Sequence, residues 1–119
     1  MDVSIIIVNY NTSKLVNDAI DSVIRHTAGI DYEIIVVDNA TEDLSQTLKE
    51  YSNPKIRTIQ LSENVGFGQA NNAALEIASG RNILFLNPDT KILNNAVTIL
   101  SDYLDNHPEC GVCVGILYN

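Results

Sequence analysis

Positively charged side chains are scarce in this sequence. Seven Lys and Arg residues stand against fifteen Asp and Glu residues, which gives a formal net charge of −8 at pH 7. Proteins that bind DNA, RNA or anionic lipid use a basic face to neutralise phosphates, and this chain has too few cations to form one. We therefore expect no nucleic-acid partner, and we expect an anionic ligand to need a metal ion as mediator.

The sequence also lacks a long hydrophobic run. No segment has the length of a membrane span, and Met1 and Asp2 lead directly into a strand-like stretch with no basic region or cleavable signal. The predicted location is the cytoplasm. Parts of a longer protein could bring it to the inner face of the cell membrane as a peripheral protein.

Cysteine is rare, with two residues, Cys110 and Cys113, spaced as CxxC and preceded by His107. A redox CxxC follows a strand and opens a helix, whereas these residues enter an apolar run. A zinc site would need a fourth ligand, and His26 lies far away in sequence. The pattern predicts two small buried thiols at the start of a strand.

The hydrophobic pattern predicts one α/β domain in the 119 residues. Residues 3–8 are β-branched at five of six positions, which is typical of a central parallel strand. Apolar runs and alternation predict strands at 3–8, 33–37, 55–61, 83–86 and 111–116, with 55–61 near an edge and 83–86 buried on both faces. Helical spacing predicts helices at 15–24, 41–51, 70–78 and 96–104, the third closed by Gly80. Short right-handed connections then give a doubly wound, mostly parallel, Rossmann-like sheet.

Polar clusters follow three of the predicted strands: residues 9–11 (NYN), 38–39 (DN) and 87–89 (NPD). The loop with Gly66 and Gly68 lies on the same carboxyl edge, which is where ligands bind in open α/β sheets. Four polar or glycine-containing loops at one edge predict a ligand site more specifically than any one of these loops alone.

Each cluster also has a local interpretation. Asp89 and Thr90 could cap the following helix, and Asp38 could belong to a turn that starts one, with Thr41 as its cap. The two glycines could serve backbone angles alone, and Tyr10 could pack at the edge of the core.

Known nucleotide and hydrolase motifs do not fit. The sequence has no P-loop, and Gly66 and Gly68 lack the third glycine of a dinucleotide motif because Asn71 occupies its position. No strand end offers a nucleophile with a histidine partner. A phospho-receiver domain needs an acidic cluster after the first strand, where this chain has Asn9 and Asn11.

Four segments resemble the amino-terminal half of family 2 inverting glycosyltransferases, in that family's order and spacing. They are residues 4–11 (SIIIVNYN), 35–39 (IVVDN), 63–72 (ENVGFGQANN) and 84–90 (LFLNPDT). The likeness is greatest to the rhamnosyltransferase-like branch, which builds bacterial surface polysaccharides. The resemblance implies a GT-A fold and a hexosyltransferase-type enzyme using a UDP- or dTDP-sugar donor and a saccharide or lipid-linked saccharide acceptor.

The resemblance also implies roles for individual residues. Asp38 would hydrogen-bond the donor's base or ribose, and Asp89 would ligate a divalent metal, Mg²⁺ or Mn²⁺, that bridges the diphosphate. The nucleotide-binding positions that it implies are Asn9, Tyr10, Asn11, Asp38, Asn39, Asn64, Gly66, Phe67, Asn72 and Asn87.

The chain departs from the family pattern in two ways. Asn87 replaces the first aspartate of the DxD motif, which leaves one carboxylate for the metal. The family's general base, which inversion requires, and its acceptor site would lie beyond residue 119. We therefore expect residues 1–119 to be the nucleotide-sugar-binding part, able to bind donor without transferring sugar. The alternative is a noncatalytic nucleotide-binding or phospho-receiver-like signalling module, and the oligomeric state stays open.

Overall fold

The computed structural model describes residues 1–115, which form a parallel sheet covered by helices. The four strands of these residues lie in the order β3-β2-β1-β4, and every pair is parallel. The strands are β1 (Val3–Asn9), β2 (Tyr32–Asp38), β3 (Ile56–Gln60) and β4 (Asn82–Phe85), and the helices are α1 (Ser13–His26), α2 (Phe67–Leu75) and α3 (Ala96–Asn106). None of the helices in this part of the chain is long and apolar enough to cross a membrane.

The central strands β1 and β2 are buried because apolar side chains project from both faces of each strand. Ile5 and Ile34 pack with α1 on one side, and Ile6 and Ile35 pack with α2 on the other. Val97 of α3 joins the α1 side. Helices therefore cover both faces, and the predicted doubly wound, mostly parallel α/β fold is confirmed.

The predicted helix at 41–51 is wrong, because side chains of α1 and of the loop before it capture the backbone of this segment. Asn17 donates to Thr47 O at 2.8 Å and accepts from Lys49 N at 2.9 Å. Asn11 Oδ1 accepts the amides of residues 42 and 43, both at 2.9 Å. In a helix over residues 41–51, the Thr47 carbonyl and the Lys49 amide would bond to backbone groups within the segment, so tertiary hydrogen bonds replace these local ones.

Strand β4 is less buried than its sequence predicts. It lies at the edge of the described sheet, and the side chain of Phe85 is 52% exposed. The prediction of burial on both faces is therefore wrong, since within residues 1–115 no strand pairs with the outer side of β4. The predicted edge position of 55–61 is confirmed, because β3 is the other outermost strand.

Gly80 does not close α2, which ends five residues earlier at Leu75. Gly80 instead lies against β1, and its N–H donates to Ser4 Oγ at 2.7 Å. A Cβ at this position would lie 2.3 Å from Ser4 N. The glycine is therefore required by the close approach of two backbones.

The predicted fifth strand is absent from residues 111–115, and Ile116 lies outside the described residues. The two cysteines are free thiols and half-buried instead of buried. Cys110 Sγ donates to Val112 O at 3.1 Å, and Cys113 Sγ lies 3.9 Å from Leu100 O. The prediction that these thiols start a strand is wrong in the described segment.

A buried carboxylate, Glu33, lies at the amino end of β2. Its Oε2 accepts from Ser4 Oγ at 2.6 Å, from Ser79 N at 2.8 Å and from Ser79 Oγ at 2.9 Å. Its Oε1 pairs with Arg57 Nη2 at 2.6 Å. This network joins three strands and the segment after α2, at the edge opposite the polar strand ends.

Candidate functional site

The carboxyl ends of β1, β2 and β3 meet at one edge, as their polar residues predict. Asn39 N donates to Asn9 O at 2.8 Å, and Leu61 N donates to Asp38 O at 2.9 Å. The sheet therefore brings the loops after three strands into direct contact.

Asn9 lies inside this edge and faces the protein. Its side chain is fully buried, and its Nδ2 donates to Ser13 Oγ at 3.0 Å and Thr41 Oγ1 at 3.3 Å. Its Oδ1 accepts from Thr12 N at 3.2 Å and Thr12 Oγ1 at 3.0 Å. Its side chain therefore holds the turn between β1 and α1 and joins it to Thr41 after β2, while the adjacent Tyr10 is 37% exposed.

Asn39 connects the end of β2 to the glycine-containing loop. It is buried, its Nδ2 donates to Asn64 Oδ1 at 2.9 Å, and its Oδ1 accepts from Val65 N at 3.0 Å. Asn64 Oδ1 also accepts from Gly66 N at 2.9 Å, and Gly66 has a φ of +85° that favours glycine. Asn39 and Asn64 thus shape the loop that leads into α2.

The start of α2 presents exposed side chains beside this loop. Phe67, its first residue, is 58% exposed, and Asn72 is exposed one turn and a half later. Both were predicted to flank a nucleoside. The free amides of a helix start also favour anionic groups, and α2 begins at the same edge of the sheet.

Asp38 is held by the residues that follow it. Its Oδ1 accepts from Thr41 N at 3.2 Å and from Thr41 Oγ1 at 2.6 Å. Thr41 Oγ1 also accepts from Asn11 N at 3.3 Å. No described residue donates to Asp38 Oδ2, so this half-buried carboxylate presents one bound oxygen and one available oxygen.

The turn that returns Thr41 to Asp38 passes through Ala40, whose φ is +59°. A side chain in this left-handed region costs about 1–2 kcal/mol, and glycine avoids that cost. We expect Ala40→Gly to raise the free energy of unfolding by about 0.5–1 kcal/mol after the greater backbone entropy of glycine is subtracted. Urea unfolding measures this change. Ala28→Gly, at a loop position outside the positive-φ residues, is the control and should lower stability; equal losses in both variants would contradict the strain.

A cleft of about 450 Å³ opens beside Asp38, between β3 and the segment 44–51. Ser13, Thr41 and Gln60 line the cleft together with Asp38, and Ile56 and Thr58 line it from β3. Its volume falls in the range of about 300–1,000 Å³ that small-molecule sites occupy. Asp38 is therefore a carboxylate at the wall of a ligand-sized space.

Asn87 and Asp89 lie past the end of β4, and both are exposed. Thr90 N donates to Asn87 O at 3.0 Å and closes the turn that carries Asp89. Helix α3 begins at Ala96, so the interpretation of Asp89 and Thr90 as its cap is wrong. Among the described residues, no hydrogen bond joins this turn to Asp38 or to the residues bonded around it, Asn9, Asn11 and Thr41.

The oxygen atoms near Asp89 could bind a hard cation such as Mg²⁺ only if a bound diphosphate supplied further oxygen ligands. In residues 1–115 there is no group of three or more His, Cys, Asp or Glu residues that could hold a metal. Asp89 and the amide of Asn87 offer oxygen ligands, and Mg²⁺ commonly takes one or two protein oxygens and completes its shell with phosphates and water. The residues present fit a metal that is shared with a bound diphosphate.

Thr41 is the residue whose role the sequence did not reveal. Local patterning indicated a helix cap, but no helix follows it, and its hydroxyl contacts three predicted site residues instead. The available signal was its spacing of three residues from Asp38, which also suits a side-chain turn.

Comparison with known proteins supports the resemblance seen in the four motifs. Residues 4–119 match the model of Glycosyl transferase family 2. The poly(ribitol-phosphate) beta-glucosyltransferase of Bacillus spizizenii is 36% identical over 104 residues, which cover 82% of this chain and 16% of that protein. The chain thus spans a small part of this relative, and the rhamnosyltransferase-like branch stays a prediction.

Solved structures of other proteins share the fold. The structure of S. aureus TarS 1–349 in complex with UDP-GlcNAc has a TM-score of 0.73 and 24% identity, covering 91% of this chain and 32% of that one. The mannosyltransferase PcManGT from Pyrobaculum calidifontis, in complex with GDP-Man and Mn²⁺, has a TM-score of 0.73 and 21% identity, covering 86% and 32%. The predicted GT-A fold is confirmed, and the chain belongs to glycosyl transferase family 2.

Proposed function

We propose that the protein is a glycosyltransferase that binds a nucleotide-sugar donor at the carboxyl edge of its sheet. The donor is a UDP- or dTDP-sugar, and the sugar passes with inversion to a saccharide or lipid-linked saccharide acceptor in cell-surface polysaccharide synthesis. The family membership and the name of the B. spizizenii relative support this class of reaction. Residues 1–119 are its nucleotide-sugar-binding part, in the cytoplasm or at the inner face of the membrane.

The observation that carries the proposal is the state of Asp38. Its Oδ1 is engaged by Thr41, its Oδ2 accepts from no described residue, and it lines the cleft of about 450 Å³. A carboxylate oxygen in this setting can accept hydrogen bonds from ribose hydroxyls or from the N–H of a pyrimidine base. A hydrogen bond to a charged acceptor stabilises a complex by about 1.5–3 kcal/mol, which is enough to select a nucleoside.

The loops on both sides of Asp38 would flank the nucleoside at the edge of the sheet. Tyr10 and Phe67 do not line the cleft, but they present exposed rings from the first and third loops, and a base that extends past Asp38 can stack on an aromatic face. Asn9 and Asn39 are buried and bonded within the protein, so they act by fixing those loops. Asn11 also fixes a loop, because its Oδ1 accepts hydrogen bonds from the amides of residues 42 and 43.

A divalent metal, Mg²⁺ or Mn²⁺, belongs to the proposal as a partner of the diphosphate. When bound, it would neutralise charge that develops on the leaving nucleoside diphosphate. Asp89, with Asn87 beside it, would hold the protein side of the ion. PcManGT, which shares the fold, is described with Mn²⁺ and GDP-Man. We assign the general base to no residue of this chain.

Titration of the purified protein with UDP and dTDP, with and without Mn²⁺, tests the donor site. We expect Asp38→Ala to weaken binding at least about 10-fold in both conditions, because it removes a charge-assisted hydrogen bond. Asp89→Ala should abolish the gain from Mn²⁺ and leave metal-free binding unchanged.

Asp102→Ala, which removes an exposed aspartate on α3, is the matched control and should bind as the unchanged protein does. Binding by Asp38→Ala at the original affinity would refute the assignment. In a longer protein that continues past residue 119, binding without any transfer from a UDP- or dTDP-sugar would favour the noncatalytic nucleotide-binding module.

A further inference from the structure

The hydroxyl of Thr41 is bonded to its full capacity by residues of the proposed donor site. It donates to Asp38 Oδ1 at 2.6 Å and accepts from Asn9 Nδ2 and Asn11 N, both at 3.3 Å. A hydroxyl has one donor hydrogen and two acceptor lone pairs, so these three bonds use everything it has. The shortest of the three is the bond to the carboxylate, as expected for a charged acceptor.

These bonds give Thr41 control over the orientation of Asp38. Two donors of the same residue, its N–H at 3.2 Å and its hydroxyl, converge on Oδ1. Rotation of the carboxylate would break both of them. The two bonds thus fix the carboxylate in one orientation, beside the cleft that Asp38 and Thr41 both line.

The same hydroxyl holds the loop after β1. Asn11 has a φ of +58°, and its N–H points to Thr41 Oγ1. Asn9 reaches the hydroxyl with its side chain. Tyr10, which lies between them and is exposed, is therefore carried on a loop fixed to Thr41 at both of its ends.

Helix capping does not account for this arrangement. Residues 42–50 form no helix, and the amides of residues 42 and 43 donate to Asn11 Oδ1. The contacts of the Thr41 hydroxyl all lead to Asp38 or to the loop after β1.

We propose that Thr41 is a positioning residue for donor binding, acting through Asp38 and the 9–11 loop without touching the donor. The inference rests on the proposed function. Its physical basis is preorganisation: a carboxylate and a loop that are already fixed lose less conformational freedom when the donor binds.

Three threonine variants separate the hydroxyl from the shape of the side chain. Thr41→Val keeps the volume and removes the hydroxyl, and we expect it to weaken UDP binding about 10-fold. Thr41→Ser restores the hydroxyl and should bind within about 2-fold of the unchanged protein. Thr98→Val is the control. It also removes a hydroxyl, which donates to Ala28 O over 2.8 Å, but Thr98 lies outside the proposed site.

A double-mutant cycle with Asp38→Ala, measured by NMR titration with UDP, tests whether Thr41 acts through Asp38. We expect Thr41→Val to lose most of its effect in the Asp38→Ala background, because no carboxylate is left to orient. Without ligand, amide exchange of Asn11 should be at least about 10-fold faster in Thr41→Val and unchanged in Thr41→Ser.

Three results would overturn the inference. Thr41→Val could bind UDP with the original affinity, its effect could add fully to that of Asp38→Ala, or Thr41→Ser could fail to restore binding. If Asp38→Ala weakens binding and Thr41→Val does not, this inference alone is wrong. If Asp38→Ala binds as the unchanged protein does, the proposed function is wrong as well.

Discussion

Gly80→Ala is expected to lower the free energy of unfolding by about 3 kcal/mol or more, because the added carbon meets backbone atoms. The new Cβ would lie 2.3 Å from Ser4 N and 2.6 Å from Val3 C. A flexible side chain could move away, but Val3 and Ser4 belong to the central strand β1. The chain around residue 80 would have to retreat instead, and the bond from Gly80 N to Ser4 Oγ at 2.7 Å would be lost.

Equilibrium urea unfolding, followed by circular dichroism, measures this loss. Gly68→Ala is the matched control, since a Cβ there meets nothing within 4 Å and Gly68 lies inside α2. Alanine favours a helix over glycine by up to about 1 kcal/mol, so the control should be neutral or more stable. A Gly80→Ala protein with the original urea midpoint would show that the two backbones do not approach this closely.

The sequence predicts those elements of the fold whose signal is local. Strands β1 and β2 follow from runs rich in β-branched residues, and α1 and α3 follow from apolar residues at helical spacing. The shared carboxyl edge follows from the parallel topology, which puts Asp38 beside Asn9 without any knowledge of side-chain contacts.

What the sequence could not predict depends on partners distant along the chain. Residues 41–51 have a plausible helix pattern, yet Asn11 and Asn17, about 30 positions earlier, bind their backbone groups. Asn9 and Asn11 are both polar residues at a strand end, but the first is buried and the second is partly exposed. No periodicity distinguishes them, because the difference comes from how the turn is folded.

The network around Glu33 could not be predicted either, because nothing in the apolar run of β2 indicates which residues would bond to a buried glutamate. Burial alone would raise its pKa, but hydrogen bonds from Ser4, from the backbone and hydroxyl of Ser79, and from Arg57 outweigh burial and lower the pKa to about 2. Glu33 is 4% exposed, while the side chain of Arg57 is 44% exposed. The network therefore depends on a charged Glu33 and joins β1, β2 and β3 to the segment after α2.

Glu33→Gln is expected to lower the free energy of unfolding by about 2–3 kcal/mol at pH 7, because donors that met a carboxylate would face a neutral amide. Exposed Glu76→Gln is the control and should change stability by less than about 0.5 kcal/mol.

The dependence on pH gives a sharper test of the Glu33 network. A carboxyl group whose pKa is lower in the folded protein stabilises it fully above the unfolded pKa, which is near 4.5 for glutamate. That contribution is lost as the pH falls from about 4.5 toward 2, where the folded group also takes up its proton. In urea unfolding at pH 7, 5, 4 and 3, the gap between the unchanged protein and Glu33→Gln should therefore be constant above about pH 5 and narrow below it. A gap that stays constant down to pH 3 would mean that Glu33 contributes through shape alone, and that its four hydrogen bonds do not favour the charged form.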